Sequence, residues 1–270
     1  MKLQLVSPPR GAIWVRQGFA VFFKQPLAFS AVFASFMFAL FMLALLPFIG
    51  TFLLLAALPL ATLGFMVASR AASKGRSPLP TAFTEPLHSG KARLLALGQL
   101  GLAYAASTLV IMALSDFADG GRLDALLRLL GETKTPPEQI AERIRDSQLQ
   151  FGLVLRFALA GLLALPFWHA PALVHWGGQG ASKALFFSLI ACWRNKGAFT
   201  VYALTWTGVI MGIALMANLL FLAIGQLRLL GLFAMPASLL FSTVFYVSLY
   251  FTFADCFMQD EDPTTIQETL

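Results

Sequence analysis

Residues able to do chemistry are few in this chain and widely spaced. His169 and His175 share the segment Pro166-Phe167-Trp168-His169-Ala170-Pro171-Ala172-Leu173-Val174-His175-Trp176, and His88 lies apart in a loop. No His, Cys, Asp or Glu grouping has the spacing of a metal site, so neither a metal nor a cofactor is expected. Cys192 and Cys256 have no activating base nearby in sequence, and each reads as a small buried hydrophobe. Phosphate-loop, Gly-x-Ser-x-Gly and His-Glu-x-x-His patterns are absent, and no catalytic residue is nominated. Neutral polar groups inside apolar runs remain: Gln99, Asn218 and, beside two prolines, His169. With its Trp and Pro neighbours, His169 reads first as an anchor at headgroup depth. The alternative is a ligand-contact or proton-linked role, since the prolines free carbonyls that could line a cavity.

The elements that position these residues must sit in lipid. Only 12% of residues are charged and 58% are hydrophobic, with a mean hydropathy of +0.76, whereas soluble domains carry about 25% charge. A soluble fold is therefore excluded. A span takes about 20 apolar residues, and the pattern predicts an all-α, polytopic transmembrane helical bundle forming one integral membrane domain. Its six spans fall near 27–46, 51–69, 94–114, 151–174, 198–224 and 232–253. Pro47-Phe48-Ile49-Gly50 should reverse the first hairpin, and Pro166 and Pro171 should kink the fourth span. The first apolar run is too long for a cleavable signal peptide and lacks a small-x-small site after it. Gly101-Leu-Ala-Tyr-Ala105 and Gly208-Val-Ile-Met-Gly212 carry small residues four apart, so close helix contact is expected at both, within the chain or between chains.

Twelve Lys and Arg fall on one side of these spans and seven on the other, where seven acids match them. Basic loops stay cytoplasmic, which predicts both termini in the cytoplasm. On that side two short amphipathic helices, 11–24 and 183–195, each place basic residues opposite aromatic ones and should lie in the interface plane. Arg16, Lys24, Lys183 and Arg194 are the candidate lipid-headgroup contacts. The two helices also share wording: Phe23-Lys24-Gln25-Pro26-Leu27-Ala28-Phe29 aligns with Trp193-Arg194-Asn195-Lys196-Gly197-Ala198-Phe199, which suggests a duplicated unit, with 78–91 as a weaker third copy. The insertion 115–150 should form two helices, the second opened by a Thr135-x-x-Glu138 capping box. It reads as a lid or as a docking site for another protein. The segment 255–270 reads as an acidic cytoplasmic tail around Asp260, Glu261 and Asp262.

Three stretches carry a resemblance. They are the opening Gly11 to Pro26 helix with Trp14 and Phe22, the run from Leu46 and Pro47 through Gly64 to Arg70, and Phe167 to Trp176 followed by Ala184-Leu185-Phe186-Phe187-Ser188 and Arg194-Asn195. Through them most of the chain resembles uncharacterised bacterial multi-pass membrane proteins of unknown function, and the last stretch also looks like membrane domains of several bacterial proteins of unassigned role. The resemblance implies a bacterial inner-membrane location and the six-span layout, and it brings no catalytic residue. The expected role is a non-enzymatic component that organises lipid or protein. Its partners would be the anionic lipids of the cytoplasmic leaflet, and a protein partner or a second copy, with no nucleic acid. A transporter or channel for a small neutral or lipophilic solute is the alternative, and a membrane-embedded enzyme comes third.

Overall fold

Lipid offers backbone groups no hydrogen bonds, so an apolar chain of this kind must close its own ladders, and helices do so. The computed structural model describes residues 2–132, 136–226 and 228–258, at 137 the backbone alone. The described chain is helical: α1 Arg10–Lys24, α2 Pro26–Ala44, α3 Gly50–Ser73, α4 Lys91–Asp119, α5 Arg122–Gly131, α6 Pro137–Ile144, α7 Ser147–Phe167, α8 Ala170–His175, α9 Ala181–Arg194, α10 Lys196–Ala223 and α11 Leu229–Phe257. Two 3-10 turns, Pro80–Phe83 and Glu85–His88, precede α4. Six helices are long and apolar enough to cross a membrane, α7 and α8 together supplying one of them. The spans expected from sequence are these six, mostly extended by a few residues at their ends.

The spans alternate, so α2, α4 and α10 start, and α3, α8 and α11 end, on one face. We term it the basic face, and the opposite one, carrying α5 and α6, the insertion face. The N-terminal segment lies on the basic face too, where the Gln4 N–H donates to the Cys256 carbonyl at 2.9 Å. The core sits toward this face, where Trp14, Phe29, Phe65 and Phe253 are fully buried. Toward the insertion face α10 and α11 present Leu215, Met216, Leu219, Leu232 and Met235 outward, as apolar side chains facing lipid would. Span α3 is central and packs against α2, α4, α8 and α11.

The two aligned segments share one local construction. After α1 a single amide residue, Gln25, leaves the helical conformation before Pro26 opens α2, and after α9 Asn195 does the same before Lys196 opens α10. The third copy is reduced to the two 3-10 turns, each with a proline in its first positions. Each leading segment packs on the hairpin of another unit. Helix α1 sits against α10 and α11, the turns before α4 sit against α3, and α9 sits against α7 and α8. The three units thus close in a cycle.

Local departures have local causes. The reversal between α2 and α3 is made by Phe48, with φ +64°, and not by Gly50. Gly50 starts α3, where a Cβ would stand 2.5 Å from the Leu43 carbonyl oxygen. The fourth span does not merely kink; it breaks between α7 and α8. Asp255 belongs to α11 and not to the tail, while Asp260, Glu261, Asp262 and Glu268 lie outside the described residues, as does the capping threonine Thr135. The residue before α6 is Pro136, with no side-chain cap, while α7 is capped by Asp146, whose carboxylate accepts the N–H groups of Gln148 and Leu149.

Candidate functional site

The basic face is built from the leading helices upward. Arg16 and Lys24 are exposed on α1, and Lys183 and Arg194 are exposed on α9. The aromatic faces behind them differ from expectation. Those of α1 were expected to dip into lipid, but Trp14, Val15 and Phe22 are buried in protein, because α1 wedges between α10 and α11. The wedge fits because a glycine faces each neighbour. A Cβ on Gly11 would stand 2.1 Å from the Ala198 carbonyl oxygen, and one on Gly18 2.7 Å from the Ser248 Cβ. Polar bonds fix the contact at its end: Arg10 Nε and Trp14 Nε1 both donate to Asp255 Oδ2, each at 2.7 Å. In α9, by contrast, Phe186 and Trp193 are 58% and 65% exposed, and the Lys196 ammonium rests 5.4 Å from the Trp193 ring centre. This helix has the face of an interfacial anchor.

The sequence pattern left Asn195 without a role. It is buried, its Oδ1 accepts the Val6 N–H at 2.8 Å, and its Nδ2 donates to the Gln4 carbonyl at 3.0 Å. An amide can give and take in this way along an extended backbone, and here it clips the N-terminal segment to the α9–α10 junction. The only advance signal was its place in the repeat.

The intramembrane polar candidates do not come together. Gln99 and Asn218 are both exposed, on α4 and α10, and His169 is fully buried at the α7–α8 break. His169 is therefore no headgroup-depth anchor. Its Nε2 lies 3.1 Å from Thr252 Oγ1 of α11, and the rings of Phe199, Phe253 and Phe257 surround it. The break itself is held by Ser188 of α9. Its hydroxyl accepts the His169 N–H and donates to the Leu165 carbonyl, both at 2.9 Å, so it is inserted where a helix would bond residue 169 directly to 165. Burial pushes the Cys192 thiol, on the same stripe of α9, up to about 12, away from the thiolate.

Of the packing candidates, Gly101 and Ala105 are buried, and a Cβ on Gly101 would stand 2.4 Å from the Ala56 carbonyl oxygen of α3. Gly208 and Gly212 have open space beside them, so the close contact expected there is not made within the chain. On the insertion face the charges pair: Arg156 with Asp116, and Arg122 with Asp146 at 2.9 Å. Among the described residues no three His, Cys, Asp or Glu side chains gather as a metal site requires.

Sequence reasoning also missed a cluster where the end of α3, the start of α4 and the end of α8 meet. The Arg70 guanidinium lies over the Trp176 ring at 5.3 Å. His175 Nδ1 is 2.9 Å from Ser89 Oγ, and its Nε2 is 3.9 Å from Glu85. Arg93 reaches the loop after α8, within 3.9 Å of where a Cβ on Gly178 would stand. Only the tertiary fold joins these residues.

Comparison with known proteins adds the family. A Burkholderia thailandensis protein whose name reads "Probable inner membrane protein" is 35% identical over 261 residues, which are 95% of this chain and 94% of the relative. This chain belongs to the family of that inner membrane protein. The family resemblance and the six spans together make the chain a multi-pass inner membrane protein. No family model matches it, and no solved structure matches it.

Proposed function

We propose that the protein is a non-enzymatic component of the inner membrane whose basic face is cytoplasmic and organises the anionic lipid around it. One observation carries this reading: Arg16, Lys24, Lys183 and Arg194 all project, exposed, from the two leading helices on one face. A basic side chain near an anionic leaflet contributes about 1 kcal/mol, so a belt of them enriches such lipids around the bundle. The exposed aromatic residues of α9 suit the same depth. The described N-terminal segment and the end of α11 lie on that face, which would put both termini in the cytoplasm. The transport reading lacks a comparable support, since Gln99 and Asn218 sit on outward faces of different spans.

The test is native mass spectrometry of the protein extracted within its own patch of membrane. Enrichment of anionic headgroups over the bulk membrane is expected, and it should fall when Arg16, Lys24, Lys183 and Arg194 are all replaced by Gln. A patch with the bulk headgroup composition would end this reading. The same spectra report whether a second copy travels with the first, for which the open Gly208 and Gly212 flank of α10 is the available close-contact surface.

A further inference from the structure

The belt is diffuse, but the cluster at the α3–α4–α8 junction is not. Two guanidiniums, Arg70 and Arg93, converge on the residues that follow α8, and neither makes a hydrogen bond or ion pair to a described residue. Arg70 is half-buried, and its stacking on Trp176 holds its plane in one orientation and leaves its N–H edge unspent. His175 is largely buried between them, with Nδ1 occupied by Ser89 and Nε2 facing outward toward Glu85, which is itself mostly exposed. The charges of Arg70, Arg93 and Glu85 all act on this imidazole, so the two guanidiniums, the imidazole and the single acid share one neighbourhood. The start of α4 adjoins it: Gly90 provides no side-chain cap, and the N–H groups of the first turn are open beside Ser89.

Two planar forks and an uncapped helix start form a donor set with one carboxylate against it. The bonded pair of Ser89 and His175 adds one further donor, the imidazole Nε2–H when Ser89 donates to Nδ1 or the Ser89 hydroxyl when Nδ1–H donates to it. Arg side chains fit the oxygens of a phosphate with paired N–H bonds, and basic pockets between spans on the cytoplasmic side receive lipid headgroups. We propose that Arg70, Arg93 and His175, with Ser89, form a discrete site for one phosphate group, presented by an anionic glycerophospholipid of the adjoining leaflet. A free phosphate ion shares the chemistry. The site rests on the same cytoplasmic placement of the basic face as the function proposed above, but it differs in kind: it holds one lipid in fixed stoichiometry, whereas the belt biases many.

The experiment uses the full chain in nanodiscs of zwitterionic lipid, titrated with phosphatidylglycerol in one arm and with inorganic phosphate in the other. Thermal shift and lipid adducts in native mass spectra are the readouts. Wild type should retain a single phosphatidylglycerol through delipidation. R70Q/R93Q should bind it about thirtyfold more weakly, as two lost basic contacts imply. The belt variant R16Q/K24Q/K183Q/R194Q should keep the adduct while losing its annular enrichment. R70K/R93K keeps the charges and removes the forks; it should fall between the two and provides the reading should R70Q/R93Q fail to fold. Adduct retention equal to wild type in both Arg70/Arg93 variants overturns the site. A loss of annular enrichment that never appears in the belt variant counts against the function proposed above and leaves the site standing. A thermal shift with inorganic phosphate, lost in R70Q/R93Q, supports the site and assigns its occupant to solution.

Discussion

Helices α1 and α9 were written to the same plan and are used in opposite ways. When the shared wording aligns them, Trp14 pairs with Ala184, Gly18 with Ser188 and Phe22 with Cys192, and all six side chains or backbones are buried. The buried stripe therefore keeps its register. What changes is where the bulk goes. In α1 the rings of Trp14 and Phe22 point inward, though Phe23 is exposed like its aligned partner Trp193, and glycines let the backbone approach α10 and α11. In α9 the inward residues are small and the large rings, Phe186 and Trp193, point out. An aromatic face thus marks an amphipathic helix without saying whether lipid or protein covers it. The residues on the flanks of the stripe decide that, through the distance they permit.

This comparison can be broken most severely at Gly11. Gly11→Ala places a methyl group against backbone atoms that cannot move aside, so α1 should leave its groove, with a loss of about 3 kcal/mol or more. Chemical denaturation in detergent micelles reads the loss directly. Gly212→Ala, beside open space, should be neutral or slightly stabilising. If both substitutions behave alike, the groove is not what holds α1.

The next largest contrast is between tryptophans. Trp14→Ala removes a buried ring and a donor to Asp255, and should destabilise by about 3 kcal/mol. Trp193→Ala, on an exposed ring, should leave unfolding within about 0.5 kcal/mol of wild type and instead weaken quenching of α9 probes by lipids labelled at the interface.

Ser188→Ala comes third. It strands the His169 N–H and the Leu165 carbonyl in a dry core, which should cost about 2 kcal/mol. Ser188→Thr, which keeps the hydroxyl, should recover part of this in the same assay. The same substitution to alanine at Gly18, its aligned partner in α1, would act by crowding Ser248 instead, so the two positions fail for different reasons.

The smallest effect belongs to the insertion face. Burial alone would raise the Asp146 carboxyl, but the hydrogen bond from Arg122, the N–H groups of Leu149 and Gln148, and the Arg122 charge together hold it below the usual carboxylate range. A carboxyl lowered in the folded state stabilises fully above its ordinary pKa, and that contribution fades as pH falls through the folded value. Acidification below about pH 4 should therefore loosen the start of α7, seen as faster amide exchange at Gln148 and Leu149, and Asp146→Asn should remove the pH dependence. The α1 wedge should remain protected meanwhile.

The sequence made the spans legible because lipid demands long apolar helices, and composition records that demand residue by residue. The repeat was legible through one short shared phrase, whose amide, Gln25 or Asn195, marks the break between helices. The break of the fourth span was only half legible. Pro166 and Pro171 announce it, but Ser188, which holds it, lies on another helix and looks like any interfacial serine. The Arg70, Arg93 and His175 cluster was hidden for the same reason: three distant segments supply it, and no periodicity in one segment reports on another. Gln99 and Asn218 misled because a polar residue in an apolar run implies a partner, and here both face outward.

The cyclic packing has a consequence in time. A membrane chain is delivered from its N-terminus, yet α1, the first helix made, rests on α10 and α11, the last spans to arrive. Its aromatic stripe and Arg10 must wait at the membrane surface through the whole of synthesis until Asp255 emerges. Closure of the molecule is thus the joining of its first helix to its last two spans, and a chain halted before α10 has the hairpins of its first two units and no seat for its own beginning.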